Sequence, residues 1–174
     1  MTNPLFYAKI LLFGEYGIIE DSQGLTLPYS FYKGTLKFSE NQSDFEKKSN
    51  ESLSKYAQYL SELNLPEAFK INVEAFKKDI KKGLFFDSNI PQGYGVGSSG
   101  ALVAAIFEKY SFIKYNPEEI SKNQLKDLKK VFGELESYFH GKSSGIDPLI
   151  CYMNLPILIE NKESVDKVSI PKEE

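Results

Sequence analysis

Four glycines fall within eleven residues, Gly93, Gly95, Gly97 and Gly100, and run directly into residues 101–112, a stretch that is nearly all helix-forming and apolar on several sides. Ser98 and Ser99 sit between the last two glycines, and Pro91 sets the segment off from what precedes it. Glycine tolerates positive φ and lets a ligand approach the backbone, so successive amide N–H groups can converge on an anion. A helix beginning near Ser98 adds its unsatisfied N–H groups and the positive end of its dipole. Serine hydroxyls at that point either cap the helix or contact a phosphate or its Mg²⁺. The natural guest is a polyphosphate. A plain glycine-rich turn in front of a core helix is the competing reading, and the density of signals weighs against it.

Two phosphate loops do not account for this segment. Gly95, Gly97 and Gly100 satisfy G-x-G-x-x-G, but Pro91 precedes the loop, and Glu118 and Glu119, about 20 residues on, follow a proline and read as a helix start rather than a strand end. No G-K-[ST] follows the glycines.

With 174 residues the chain has room for one domain of roughly 150. Apolar residues at 41% supply a packed core and exclude global disorder. Lys and Arg number 21 against 24 Asp and Glu, so the basic excess that nucleic acid demands is missing. Cys151 is the one cysteine and His140 the one histidine, which excludes an internal disulfide and a zinc site of thiolates and imidazoles. A metal here must be hard and oxygen-bound. No apolar run approaches the roughly 20 residues of a membrane span. Lys9 and Glu15 interrupt the N-terminal apolar stretches, so a reduced, cytoplasmic protein is expected.

Residues 5–13 read as a strand, resumed at 16–19, and residues 25–38 as two short strands around a break at Lys33 and Gly34. Residues 40–52 read as loop or a frayed helix start, with a helix over 51–64; residues 71–82 fit no one type, and 84–90 suit a strand. Leu125, Leu128, Val131, Phe132, Leu135 and Phe139 have the spacing of an amphipathic helix over 117–140, ended by Gly141. A strand over 150–159 and a weak one from residue 165 follow.

The loop reads P-x-G-x-G-x-G-S-S-x-A through Gln92, Tyr94, Val96 and Ala101, and this resembles the phosphate loop of the GHMP kinases, the superfamily of galactokinase, homoserine kinase, mevalonate kinase and phosphomevalonate kinase. Residues 9–17, KILLFGEYG, are similar to the first motif of mevalonate kinases, and residues 140–147, HGKSSGID, to their H-G-x-P-S-G-x-D segment. The three motifs span most of the chain in the family's order. The resemblance implies an α+β fold, the GHMP kinase N-terminal domain, with a mixed β-sheet, helices packed on one side and a left-handed βαβ crossover. It implies ATP and Mg²⁺, with Gly93, Gly95, Val96, Gly97, Ser98, Ser99 and Gly100 at the nucleotide. Asp147 matches the general base for the acceptor hydroxyl, and Lys9 the lysine beside it. Glu136 matches the magnesium-ligand glutamate, and Ser99, with Ser98 as substitute, the metal-site serine. Glu15, Tyr16, Ser144 and Gly145 fall where the acceptor is expected.

Taken without the motifs, Glu136 is a solvated carboxylate and Lys9 an edge-strand gatekeeper. His140 at a helix end reads as a partner of the last carbonyls. Cys151 reads as a small core residue, and Tyr94 as either a plain loop side chain or one stacking near the nucleotide. Pro148 is expected to hold Asp147 in an extended backbone.

Departures from the pattern are Tyr16 for the usual histidine, Lys142 and Ser143 for the usual small residue and proline, and Gly100 for alanine. After Gly145 no glycine remains to supply the family's third glycine-rich motif. Residues 1–174 are therefore expected to be the N-terminal, ATP-binding domain, with 160–174 a connector to an absent C-terminal one. The expected reaction is ATP-dependent phosphorylation of a small-molecule alcohol, mevalonate first. A phosphomevalonate kinase, a diphosphomevalonate decarboxylase, or a non-catalytic nucleotide-binding or assembly module are the alternatives. An exposed apolar inter-domain face, with self-association or pairing with a C-terminal half, is also expected.

Overall fold

The computed structural model describes residues 3–14 and 23–168. Glu15, Tyr16 and the resumed strand at 16–19 lie outside the described residues.

The chain begins with two strands, β1 (Phe6–Phe13) and β2 (Gly24–Phe38), paired antiparallel. The expected break in β2 is instead a bulge in one continuous strand. Tyr7 lies opposite Lys33 while Ala8 lies opposite Tyr29, so residues 30–32 leave the ladder. Their aromatic rings cluster on themselves: Phe31 stacks on Tyr29 and meets Tyr32 edge-on.

Helix α1 (Asp44–Glu62) starts well before the expected residue 51. A capping box explains this: the Ser43 hydroxyl accepts from the Glu46 amide while the Glu46 carboxylate accepts from the Ser43 amide. Residues 71–82 resolve as helix α2 (Val73–Lys81), capped by the Asn72 side chain. Strand β3 (Leu84–Ser88) then pairs with residues 34–38 of β2.

Helix α3 (Ser98–Tyr110) is buried on most sides, as its composition requires. The amphipathic helix α4 (Lys122–His140) starts at a second capping box, Ser121 with Gln124, and Gly141 ends it with φ 72°. Phe107 of α3 and Phe132 of α4 meet edge-on, both fully buried.

The largest departure from expectation is helix α5 (Ile146–Met153), where a strand from residue 150 was anticipated. Only β4 (Ile157–Ile159) is strand, and β5 (Val165–Lys167) pairs with it. Val165 is fully buried, so the start of the expected connector is built into the sheet.

The fold is α+β. Strand β1 follows one edge of β2; β3 and β4 share the other edge, at opposite ends, and β5 lies outside β4. Among the described residues every strand pairing is antiparallel. β3 and β4 run in the same direction along β2 without pairing, and α3, α4 and α5 make the connection between them. No helix among the described residues is long and apolar enough to cross a membrane.

Candidate active site

Strand β1 and the glycine-rich loop are joined directly, because the Lys9 amide donates to the Val96 carbonyl at 3.0 Å. The loop then turns into α3 at Gly97, which has φ 84° and lies against the Lys9 side chain; a Cβ there would stand 3.0 Å from Lys9 Cγ. Behind the loop, Cys151 of α5 is buried, and its thiol donates to the Gly97 carbonyl at 3.7 Å. Burial pushes that thiol well above its usual pKa, so it acts as packing.

The serines do not cap α3. Its N-cap is Gly97, with no side-chain cap, and among the described residues no side chain accepts from the first-turn amides of Ser98, Ser99 and Gly100. The Ser99 hydroxyl instead donates to Glu136 Oε1 at 2.8 Å and lies 2.9 Å from His140 Nε2. One hydroxyl has one proton, so with it on Glu136 the imidazole Nε2 must carry hydrogen and donate to Ser99.

Helices α3 and α5 touch at their first turns. A Cβ on Gly100 would come within 2.7 Å of the Asp147 carbonyl carbon and 2.8 Å of the Pro148 nitrogen, so the glycine that departs from the motif permits this approach. Asp147 is helical rather than extended, since it occupies the first turn of α5, where proline's missing N–H costs no helix hydrogen bond. Its carboxylate Oδ1 pairs with Lys9 Nζ at 2.9 Å. Ser144 and Gly145 form the turn ahead of it; Gly145, φ 76°, is the N-cap, and the Ser144 hydroxyl accepts from the Ile146 amide.

Glu136 is the most buried acid of the site, 3% exposed, and not the solvated carboxylate that a helix surface suggests. Oε2 accepts from the Ser143 hydroxyl at 2.5 Å. Among the described residues no lysine pairs with it. Burial pushes its carboxyl above the ordinary carboxylate range and the charge of Asp147 adds to that, while the Ser143 and Ser99 donors pull the other way.

A cleft of about 820 Å³ is floored by the loop from Pro91 to Ser99 and by Asp147, and walled by Phe45 and Lys48 of α1 and by His140; Lys9 and Glu136 are not part of this lining but bond to two residues that are, Asp147 and Ser99. A wider surface depression around Phe38, Lys47 and Gly83 brings together none of the motif residues. Tyr94 projects to solvent, 79% exposed, and does not line the cleft. His140 faces Ser99 rather than a helix-end carbonyl; its place one turn after Glu136 on α4 was the available signal. Phe45 and Lys48 also escaped sequence reasoning, and the Ser43–Glu46 capping box was the sign that they belong to a helix.

The family model for the GHMP kinases N terminal domain matches residues 52–154, more than half of the chain. No curated protein sequence matches it. Among solved structures, an L. major mevalonate kinase in complex with R-mevalonate superposes with a TM-score of 0.56 at 14% identity, covering 99% of this chain and 53% of that one. The Methanococcus jannaschii mevalonate kinase gives 0.55 at 18% identity, covering 97% and 56%. At such identities the likeness is one of fold, and the chain spans just over half the length of these neighbours. The family model covers more than half of the sequence and the fold is shared with these kinases: this chain belongs to the GHMP kinases, as a bearer of their N-terminal domain.

Proposed function

We propose that this chain is the N-terminal, nucleotide-binding half of an ATP-dependent small-molecule kinase of mevalonate kinase type, acting on the hydroxyl of mevalonate or a closely related alcohol. The observation that carries this reading is the Lys9–Asp147 pair at 2.9 Å, which brings Asp147 into one cleft with Ser99 and the uncapped start of α3, with Glu136 bonded to Ser99. Phosphoryl transfer needs the nucleotide phosphates held, their charge offset and the acceptor hydroxyl relieved of its proton.

The loop amides and the start of α3 hold the phosphates. Asp147 accepts the acceptor's proton, and Lys9, 2.9 Å away, orients that carboxylate and offsets the developing negative charge. Glu136 and Ser99 form an oxygen-only donor set that fits Mg²⁺, and the buried Glu136 charge is matched by hydroxyls rather than a lysine. The cation would supply charge neutralisation at the phosphates. The acceptor residues are Ser144 and Gly145 of the turn before Asp147, together with Glu15 and Tyr16, which lie outside the described residues.

The neighbours are roughly twice as long, so the working enzyme in this reading includes a second, C-terminal half. Leu12 and Phe13, each more than half exposed at the end of β1, are the apolar surface nearest the motif segment for such a half to cover.

ADP release measured with mevalonate, with and without the completing half, tests the assignment. Turnover of mevalonate by the completed enzyme is expected. Turnover only on a phosphorylated analogue would overturn the acceptor, and Lys142, exposed in the α4–α5 turn, is the residue that would suit one. No turnover on either would overturn the kinase reading.

A further inference from the structure

Ser143 stands where the motif carries proline, and it makes three hydrogen bonds that proline could not. Its amide donates to the Ser137 hydroxyl at 3.2 Å, and its own hydroxyl accepts from the Gly145 amide at 3.0 Å and donates to Glu136 Oε2 at 2.5 Å. The Ser137 hydroxyl in turn donates to the Gly133 carbonyl, so the turn is docked along α4. Gly133 leaves room for this: a Cβ there would stand 3.0 Å from the Ser143 carbonyl.

We infer that Ser143 is a positioning residue that holds the Glu136 carboxylate against Ser99 for the metal and couples it to the turn presenting Asp147. With Oε2 held by Ser143 and Oε1 by Ser99, neither carboxylate oxygen can rotate without breaking a charge-assisted bond. The Gly145 amide polarises the Ser143 hydroxyl, and Asp147 follows two residues later. A run of hydrogen bonds thus extends from the N-cap of α5 through Ser143, Glu136 and Ser99 to His140. Groups that orient metal ligands in this way typically control affinity by 10–100-fold. The inference rests on the reading of Glu136 as a metal ligand.

Isothermal titration of ATP into the full chain, once with Mg²⁺ and once with EDTA, separates the two. Metal-dependent tightening in the parent chain is expected to shrink by about 10-fold or more in Ser143→Ala. The EDTA affinity should stay within about threefold, and Ser143→Thr, which keeps a hydroxyl and an amide, should restore the tightening. Should the alanine variant not fold, Ser143→Cys, whose S–H is a weaker donor, is read the same way. Equal loss with and without Mg²⁺ would make Ser143 a purely structural residue and overturn the inference, as would unchanged tightening in the alanine variant. Absence of tightening in the parent chain would instead remove the metal site itself, and the Ser143 role with it.

Discussion

Two carboxylates, Asp147 on the floor of the cleft and Glu136 bonded to Ser99 of that floor, live in opposite environments. Asp147 is 30% exposed and salt-bridged to Lys9; Glu136 is nearly inaccessible and held only by neutral hydroxyls and an imidazole. The first has a lysine against it and opens into the cleft. The second carries a burial penalty that hydroxyl donors, about 1.5–3 kcal/mol each for bonds to charged groups, only partly offset. Acids in one site whose surroundings differ this way suit different roles, and the proposed function sets Asp147 near the reacting proton and Glu136 near a cation.

The sharpest way to break the contrast is Asp147→Asn. In the completed enzyme it should lower kcat by about 10²–10⁴, since that is what a general base contributes; ADP release within threefold of the parent would contradict it. Next comes the turn that sets Asp147 in place. Gly145 has φ 76°, and a Cβ would overlap the Lys129 carbonyl, so Gly145→Ala should cost about 3 kcal/mol, read from the urea midpoint.

Glu136 gives a smaller, pH-dependent effect. Because burial raises its pKa, the folded chain holds a proton there at pH values where the unfolded chain has lost it. The cost of the buried charge is therefore absent below the ordinary carboxylate pKa and complete above the raised one. Glu136→Gln should melt higher than the parent near pH 8, with the gap closing toward pH 4; a gap that widens on acidification would refute the burial argument. Smallest, and outside the cleft, Asn72→Ala should cost about 1 kcal/mol through the lost α2 cap and leave ATP binding unchanged by titration.

What the sequence disclosed divides along similar lines. Strand β1 and helices α3 and α4 were legible because their apolar periodicity and the glycines at their ends act locally. Helix α5 was not, because residues 149–153 are continuously apolar and a buried helix and a buried strand share that pattern. Its end is set by Asn154 at φ 50°, a left-handed cap that asparagine tolerates. The bulge in β2 depends on pairing with β1, which no local signal encodes. In the site, the resemblance singled out Lys9, Ser99, Glu136 and Asp147, and the structure bonds them in two pairs, Lys9 with Asp147 and Ser99 with Glu136. The bonds from His140 to Ser99 and from Ser143 to Glu136 arise only once α3, α4 and the turn before α5 are packed together.

The most direct measurement is the Mg²⁺-dependent tightening of ATP binding in Glu136→Gln and Asp147→Asn, titrated side by side against the parent chain. The account predicts that the glutamine variant loses the tightening while the asparagine variant keeps it within about threefold. Equal loss in both, or loss only in Asp147→Asn, would contradict the division of labour between the two carboxylates.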